Sequence, residues 1–320
     1  MPINRIHFNK FLDTLNNFED QVTFGHIPND FFNGIILRLG ANQISTTLLK
    51  LQNNLPNQRL TRAQVFNICE KNLYSFEYKV ICILSWGGMR QTRTSADLFF
   101  LNWELFNIQL ENILTSFKNG MLKRLLAYDQ ILELNTPGCG PAYFTKLLFF
   151  FNRGGAYIMD QWTSKSIELL WEEDNRIGIL FDHTNNYITR ANTGMIYEMY
   201  CTRVEKITQI INLFLDSEYT PTEIEERIFS NGGNNPGEWR EYIRNNTVSE
   251  ELPEIEENTN ENLFEEENND NPIIFKVTGS NGEIYTITKG ETWICTCKAF
   301  RYDPTQDCKH IISIKSGSSL

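Results

Sequence analysis

The chain has 320 residues, 41% of them apolar, with 29 Lys and Arg against 40 Asp and Glu for a formal charge of −11. That length fits one large domain plus a small module, and the apolar share is enough for a packed core. No run approaches the roughly 18 uninterrupted apolar residues of a membrane-spanning helix, the N-terminus lacks a secretory apolar stretch, and the seven cysteines do not form a secreted disulfide framework. The sequence therefore predicts a soluble, intracellular protein without membrane association.

The net charge is misleading about partners. Ten acidic residues and no Lys or Arg fall between Asn245 and Phe275, so the remainder carries 30 acidic against 29 basic residues and is near neutral. One acidic segment produces nearly all of the charge, and a nucleic-acid partner stays open.

Residues 1–245 read as mostly helical. "LSWGGMRQ" at 84–91 ends in a polar turn where Arg90 and Arg93 are candidates for gripping phosphates or a base, with surface ion pairing the plain alternative. "SADLFFLNWELFNIQLENILTSF" carries apolar residues at helical spacing and predicts one helix with Ser95 as its N-cap. "YDQILEL" predicts a second helix, broken by "NTPGCGP", after which "AYFTKLLFFF" predicts a third. In this tight turn Gly138 and Gly140 are expected to take positive φ and to let the backbone approach a ligand. Pro141 suits a first helical position. The free N–H groups of the turn and of the new helix suit a phosphate, a contact that holds a nucleic-acid backbone without reading its sequence.

Asp160 follows in "YIMDQW", either as a working carboxylate or as the N-cap of "QWTSKSIELLW", and one role does not exclude the other. "TGMIYEMYCTRVEKITQIINLFL" is a long amphipathic helix, and "TPTEIEERIF" opens with a capping box of Thr220 and Glu223 and Pro221 at the first helical position. Residues 246–272 are Glu- and Asn-rich with few apolar anchors and predict a disordered acidic linker, or less simply an acidic mimic of DNA. From Ile273, "IIFKVTGSNGEIYTITKG" alternates around Asn281-Gly282 and predicts a β-hairpin. The organisation is thus a mainly α domain over 1–245, a linker over 246–272 and a small module over 273–320.

The turn "TPGCGP", its apolar helix and "YIMDQWTSKSI" resemble the helix-hairpin-helix DNA glycosylase superfamily, in which the hairpin reads L-P-G-V-G and a catalytic Asp lies about 22 residues beyond the first glycine. Here Asp160 lies 22 beyond Gly138. With "LSWGGMRQ", the wording is similar to the 8-oxoguanine glycosylase-like branch over roughly residues 75–230. The resemblance implies a helix-hairpin-helix core that binds double-stranded DNA, rotates a modified base out of the stack and cleaves its N-glycosidic bond. Such cleavage builds positive charge on the sugar, which a carboxylate at Asp160 would stabilise. Trp86, Tyr143, Phe144 and Trp162 are candidate pocket walls or wedges, with core packing the plain alternative.

There are departures. Where bifunctional members carry a nucleophilic Lys, four residues after the first hairpin glycine, this chain has Ala142. That favours water as the nucleophile, with Lys146 one turn further on and Lys165 after Asp160 as substitutes. Phe144 stands at the superfamily's small-residue position. No four-cysteine cluster follows Asp160, so no iron–sulfur cofactor is expected.

The C-terminal pattern Cys295-x-Cys297, ten residues, Cys308-x-His310 offers three thiolates and one imidazole, a closed tetrahedral set for one structural zinc. It resembles the SWIM zinc finger, which implies a ββα shape and binding to DNA or to a protein; Lys298, Arg301 and Lys309 lean towards DNA. The combined expectation is a monomeric DNA glycosylase, in the cytoplasm at the nucleoid of a bacterium or in the nucleus of a eukaryote. The base is open between oxidised guanine and a modified base of phage DNA, the latter giving an antiviral role. The alternative is a non-catalytic DNA-binding adaptor that retains the hairpin fold.

Overall fold

The computed structural model describes residues 2–15, 25–89, 95–182, 187–230, 237–247 and 311–312, and the backbone of three strands within 273–295. The chain divides into two compact units, Met1–Leu252 and Pro253–Leu320.

The first unit is helical. Helix α1 (Arg5–Leu15) is followed by α2 (Pro28–Leu39), the short α3 (Thr46–Leu49), α4 (Arg62–Glu70) and α5 (Phe76–Trp86). The apolar stretch from Ser95 forms two helices, α6 (Ala96–Leu101) and α7 (Trp103–Lys118), where the sequence predicted one. Asn102, at φ −98° and ψ 12°, breaks the run, and Ser95 makes no side-chain cap bond. Phe99, Phe100, Trp103 and Phe106 are all buried and pack ring against ring across the break.

Helix α8 (Arg124–Glu133) leads into the glycine turn, and α9 (Pro141–Phe151) leaves it. The sequence of α9 is apolar all round, and a helix of that kind must be covered on every side. It is the central helix of the unit, packed against α4, α5, α7 and α8, with Phe144 and the run Leu147 to Phe151 buried. Then follow α10 (Gln161–Leu170), α11 (Gly194–Leu215), α12 (Pro221–Phe229) and α13 (Glu238–Asn246), of which α10 packs against the other three and α11 also against α8. The Thr220 capping box is formed, with Glu223 N–H donating to Thr220 Oγ1 at 3.3 Å and Thr220 N–H to Glu223 Oε2 at 2.7 Å. Arg124 locks α8 to α11 through Glu198 and Glu205 at 2.6 and 2.7 Å. The four scattered cysteines, Cys69, Cys82, Cys139 and Cys201, are buried free thiols. Among the described residues no helix is long and apolar enough to cross a membrane.

In the second unit β1 (Ile273–Thr278) pairs antiparallel with β2 (Ile284–Lys289) in the register Thr278↔Ile284, as the alternation around Asn281-Gly282 predicted. A third strand, β3 (Trp293–Cys295), which the sequence reading missed, adds to β2 through Ile287↔Cys295. Its three residues are too few for periodicity to register. Of the linker predicted over 246–272, Asn246 instead ends α13 and Thr247 is its C-cap, while 248–272 lie outside the described residues.

Candidate active site

The hairpin between α8 and α9 is gripped from two sides. Gly138 sits at φ +72°, and a Cβ there would lie 2.0 Å from the Ser95 carbonyl oxygen, so only glycine fits. The close approach that its sequence suggested is thus made to the protein's own backbone. Gly140 differs from expectation: its φ is −81°, extended backbone open to any residue, and a Cβ there would meet nothing within 4 Å. As the N-cap of α9 it brings no capping side chain, while its carbonyl accepts from Tyr143 and Phe144 N–H at 2.9 and 3.1 Å. Among the described residues the Gly140 and Ala142 N–H groups have no acceptor. Open space and unsatisfied donors lie together at the hairpin mouth, which is what an anion needs.

Asp160 is delivered by the buried extended segment Ala156–Met159, which is pinned on both sides. Tyr197 and Tyr200 of α11 donate their hydroxyls to the Tyr157 and Ile158 carbonyls at 2.8 and 2.6 Å. On α9, Thr145 Oγ1 accepts from Met159 N–H at 3.1 Å. Asp160 itself caps α10: its Oδ1 accepts from Trp162 N–H at 2.9 Å and Thr163 N–H at 3.0 Å, and Thr163 Oγ1 accepts from Asp160 N–H at 3.0 Å. The N-cap reading of this residue is thus met. The cap occupies Oδ1, and Oδ2 receives none of these bonds. The residue is 8% exposed, so the carboxylate is largely shielded from water, where its field is strong.

Lys146 follows Thr145 on α9 and is 5% exposed. Its Nζ donates to the Ala142 carbonyl at 3.0 Å and lies 5.2 Å from the centre of the Tyr143 ring. Its stem crosses the end of α5, where a Cβ on Gly87 would lie 2.6 Å from Lys146 Cδ. Burial pulls its pKa below 10.5, and the negative charges of Asp160 and Glu225 oppose that fall. Glu225 of α12 is fully covered and ion-paired with Arg62 of α4; burial raises its carboxyl to about 7, with Arg62 opposing.

The other candidates divide. Trp162 lies beside Asp160 with Arg240, Arg244 and Lys165 at 5.0, 5.8 and 5.9 Å from its ring. Arg240 is itself buried, and burial lowers it to about 10 against the opposing charge of Asp160. Tyr143 is half-buried at the hairpin mouth. Trp86 and Phe144 are buried, edge-on to Phe150 and Tyr128 at 4.8 and 4.9 Å, which is the core packing named as the plain alternative. Arg90, Arg93, Cys297, Cys308 and His310 lie outside the described residues, and of the expected zinc ligands only the backbone of Cys295, at the end of β3, is placed. Thr145, Tyr197, Tyr200 and Arg240 escaped the sequence reading, because a Thr, Tyr or Arg on an amphipathic helix gives no local sign of what it reaches.

The family model described as "Putative 8-oxoguanine DNA glycosylase OGG-like protein" matches residues 40–229. The match covers more than half of the chain, includes the hairpin, Lys146 and Asp160, and reaches further towards the N-terminus than the likeness read from 75–230. No curated protein and no solved structure matches the chain.

Proposed function

The chain belongs to the OGG-like 8-oxoguanine DNA glycosylase family, and on that premise we propose that it is a DNA N-glycosylase that excises an extruded, modified base through Asp160. The observation that carries this reading is the carboxylate whose Oδ1 is fixed by its own helix while Oδ2 stays out of the cap, beside a buried lysine. As the glycosidic bond breaks, positive charge grows on the sugar, and a preorganised carboxylate in a shielded site opposes it. The hairpin N–H groups of Gly140 and Ala142 would hold a backbone phosphate. The substrate class that fits is oxidised guanine, with a modified base of phage DNA as the other arm of the assay.

Ala142 at the usual lysine position favoured water as the nucleophile. The burial of Lys146 favours a second route. An amine whose pKa burial lowers is more often neutral, and so nucleophilic, near neutral pH. Attack by Nζ on the sugar C1′ would form a C–N bond as the base leaves with the glycosidic electron pair. Borohydride trapping distinguishes the routes.

The C-terminal donors Cys295, Cys297, Cys308 and His310 suit one structural zinc, which would supply folding energy to a module too small for much of a core. We place that module as a DNA- or protein-binding accessory on a monomeric enzyme. The test of the whole reading is incubation of the purified protein with duplexes that carry assorted modified bases, with released bases identified by mass spectrometry. Base release that vanishes in Asp160→Asn supports it. Tight duplex binding without any release would identify the non-catalytic adaptor instead.

A further inference from the structure

Arg190 stands in the turn before α11, far from the hairpin in sequence, yet its guanidinium lies against the hairpin loop. Its Nη2 donates to the Thr136 carbonyl at 2.5 Å and to the Cys139 carbonyl at 2.7 Å, with Thr136 Oγ1 at 3.3 Å, and Nη1 reaches Asn135 Oδ1 at 3.3 Å. The turn that carries Arg190 is built as well. Asn192, fully buried, accepts from Leu180 N–H at 2.8 Å and donates to the Leu180 and Thr189 carbonyls at 2.8 and 2.9 Å.

We propose that Arg190 is a positioning residue for DNA binding, a built-in cation that holds the Cys139 carbonyl inward and so turns the Gly140 N–H towards a phosphate, while its bond to the Thr136 carbonyl, whose peptide with Pro137 has no N–H, anchors the loop. The argument rests on peptide geometry. In a trans peptide, C=O and N–H point in opposite directions. The Cys139 carbonyl points at Arg190, so the Gly140 N–H on the same peptide points away from it, into the space where a Cβ on Gly140 would meet nothing. The opposite flank of the loop is closed by Ser95 against Gly138. The loop is therefore fixed between a backbone wall and a cation, and its one open side carries the unsatisfied donors. The planar fork of Arg suits this task because it bonds several oxygens at once, whereas a lysine ammonium acts as a point charge. A positive charge behind the Cys139 carbonyl also polarises the Cys139–Gly140 peptide in the sense that favours an anion at its N–H end.

The inference rests on the reading that the hairpin binds a DNA backbone. Wild type, Arg190→Ala and Arg190→Lys are compared in three measurements: duplex affinity by fluorescence anisotropy, single-turnover base release at saturating duplex, and thermal melting. Arg190→Ala should weaken affinity about tenfold, as expected for loss of one charge-assisted arrangement, while base release at saturation stays within about twofold. Millimolar guanidinium should restore part of the affinity of Arg190→Ala, and sodium chloride at equal ionic strength should not. Arg190→Lys should fall between the two. Equal affinity of wild type and Arg190→Ala overturns the inference alone. So does a loss that guanidinium leaves untouched and that follows the melting temperature. A wild-type protein without affinity for duplex overturns the hairpin reading and this inference with it.

Discussion

Replacing Asp160 by Asn separates the two duties of that side chain. The cap uses Oδ1 alone, through Trp162 and Thr163 N–H at 2.9 and 3.0 Å, and an Asn amide oxygen takes the same place. Asn and Asp cap helices about equally well, so Asp160→Asn should melt within about 2 °C of wild type. Asp160→Ala removes the cap and should lose about 0.5–2 kcal/mol of stability. Both variants lose the charge. Loss of one preorganised dipole from an active site lowers rates by about 10²–10³, roughly 2.7–4 kcal/mol. Here a full charge faces a developing cation in a site where the residue is 8% exposed, so base release should fall by at least about 10³ in both variants. The assay is single-turnover release from a duplex carrying 8-oxoguanine, quantified by mass spectrometry, beside thermal melting by circular dichroism. Release by Asp160→Asn at the wild-type rate would refute the reasoning. Equal melting of the Asn and Ala variants, both well below wild type, would refute the separation of cap from charge.

The two hairpin glycines should part company. Gly138→Ala meets both a positive φ and the Ser95 carbonyl at 2.0 Å, and should lose about 2–4 kcal/mol in thermal melting. Gly140→Ala should melt like wild type, or slightly higher, but should weaken duplex binding in an anisotropy titration by placing a methyl where a phosphate approaches. If Lys146 is the nucleophile, borohydride should trap a protein–DNA adduct that Lys146→Ala abolishes. The rate should then rise with pH as the amine loses its proton and level off below pH 10.5, because burial lowers that pKa; a pH-independent rate and no adduct would return the role to water. Metal analysis of the full chain should give one zinc, removal of which unfolds residues 273–320 while a chain ended after Leu252 stays folded and active on short duplexes; well under half an equivalent would exclude the ligand set.

Much of the frame around Asp160 was legible because it is local. A turn with two glycines and a proline, an apolar helix and a carboxylate at a set interval all lie within one short stretch, and the Thr220 capping box and the β1–β2 hairpin are equally short-range. The reading erred where one sequence signal served two structural cases. Gly138 and Gly140 look alike as letters, yet only Gly138 has a positive φ, since only it faces the Ser95 backbone. Ser95 does take the N-cap position of α6 but makes no side-chain cap bond, and Trp86 and Phe144 take the plain alternative of core packing against what the fold places opposite.

By itself the sequence determined the mainly helical class, the hairpin with its flanking helices and the position of the carboxylate, because these follow from backbone preferences and periodicity over a few residues. Tertiary structure decided what that carboxylate is surrounded by. Thr145 holds Met159 across 14 residues, Tyr197 and Tyr200 hold the same segment across 40 and 42, and Arg190 reaches the hairpin across 51 and 54. The burial of Lys146 arises only when α5, α9 and the Asp160 segment come together. A side chain's pKa and its hydrogen-bond partner are properties of the space around it, and that space is filled by residues whose distance along the chain carries no local signal.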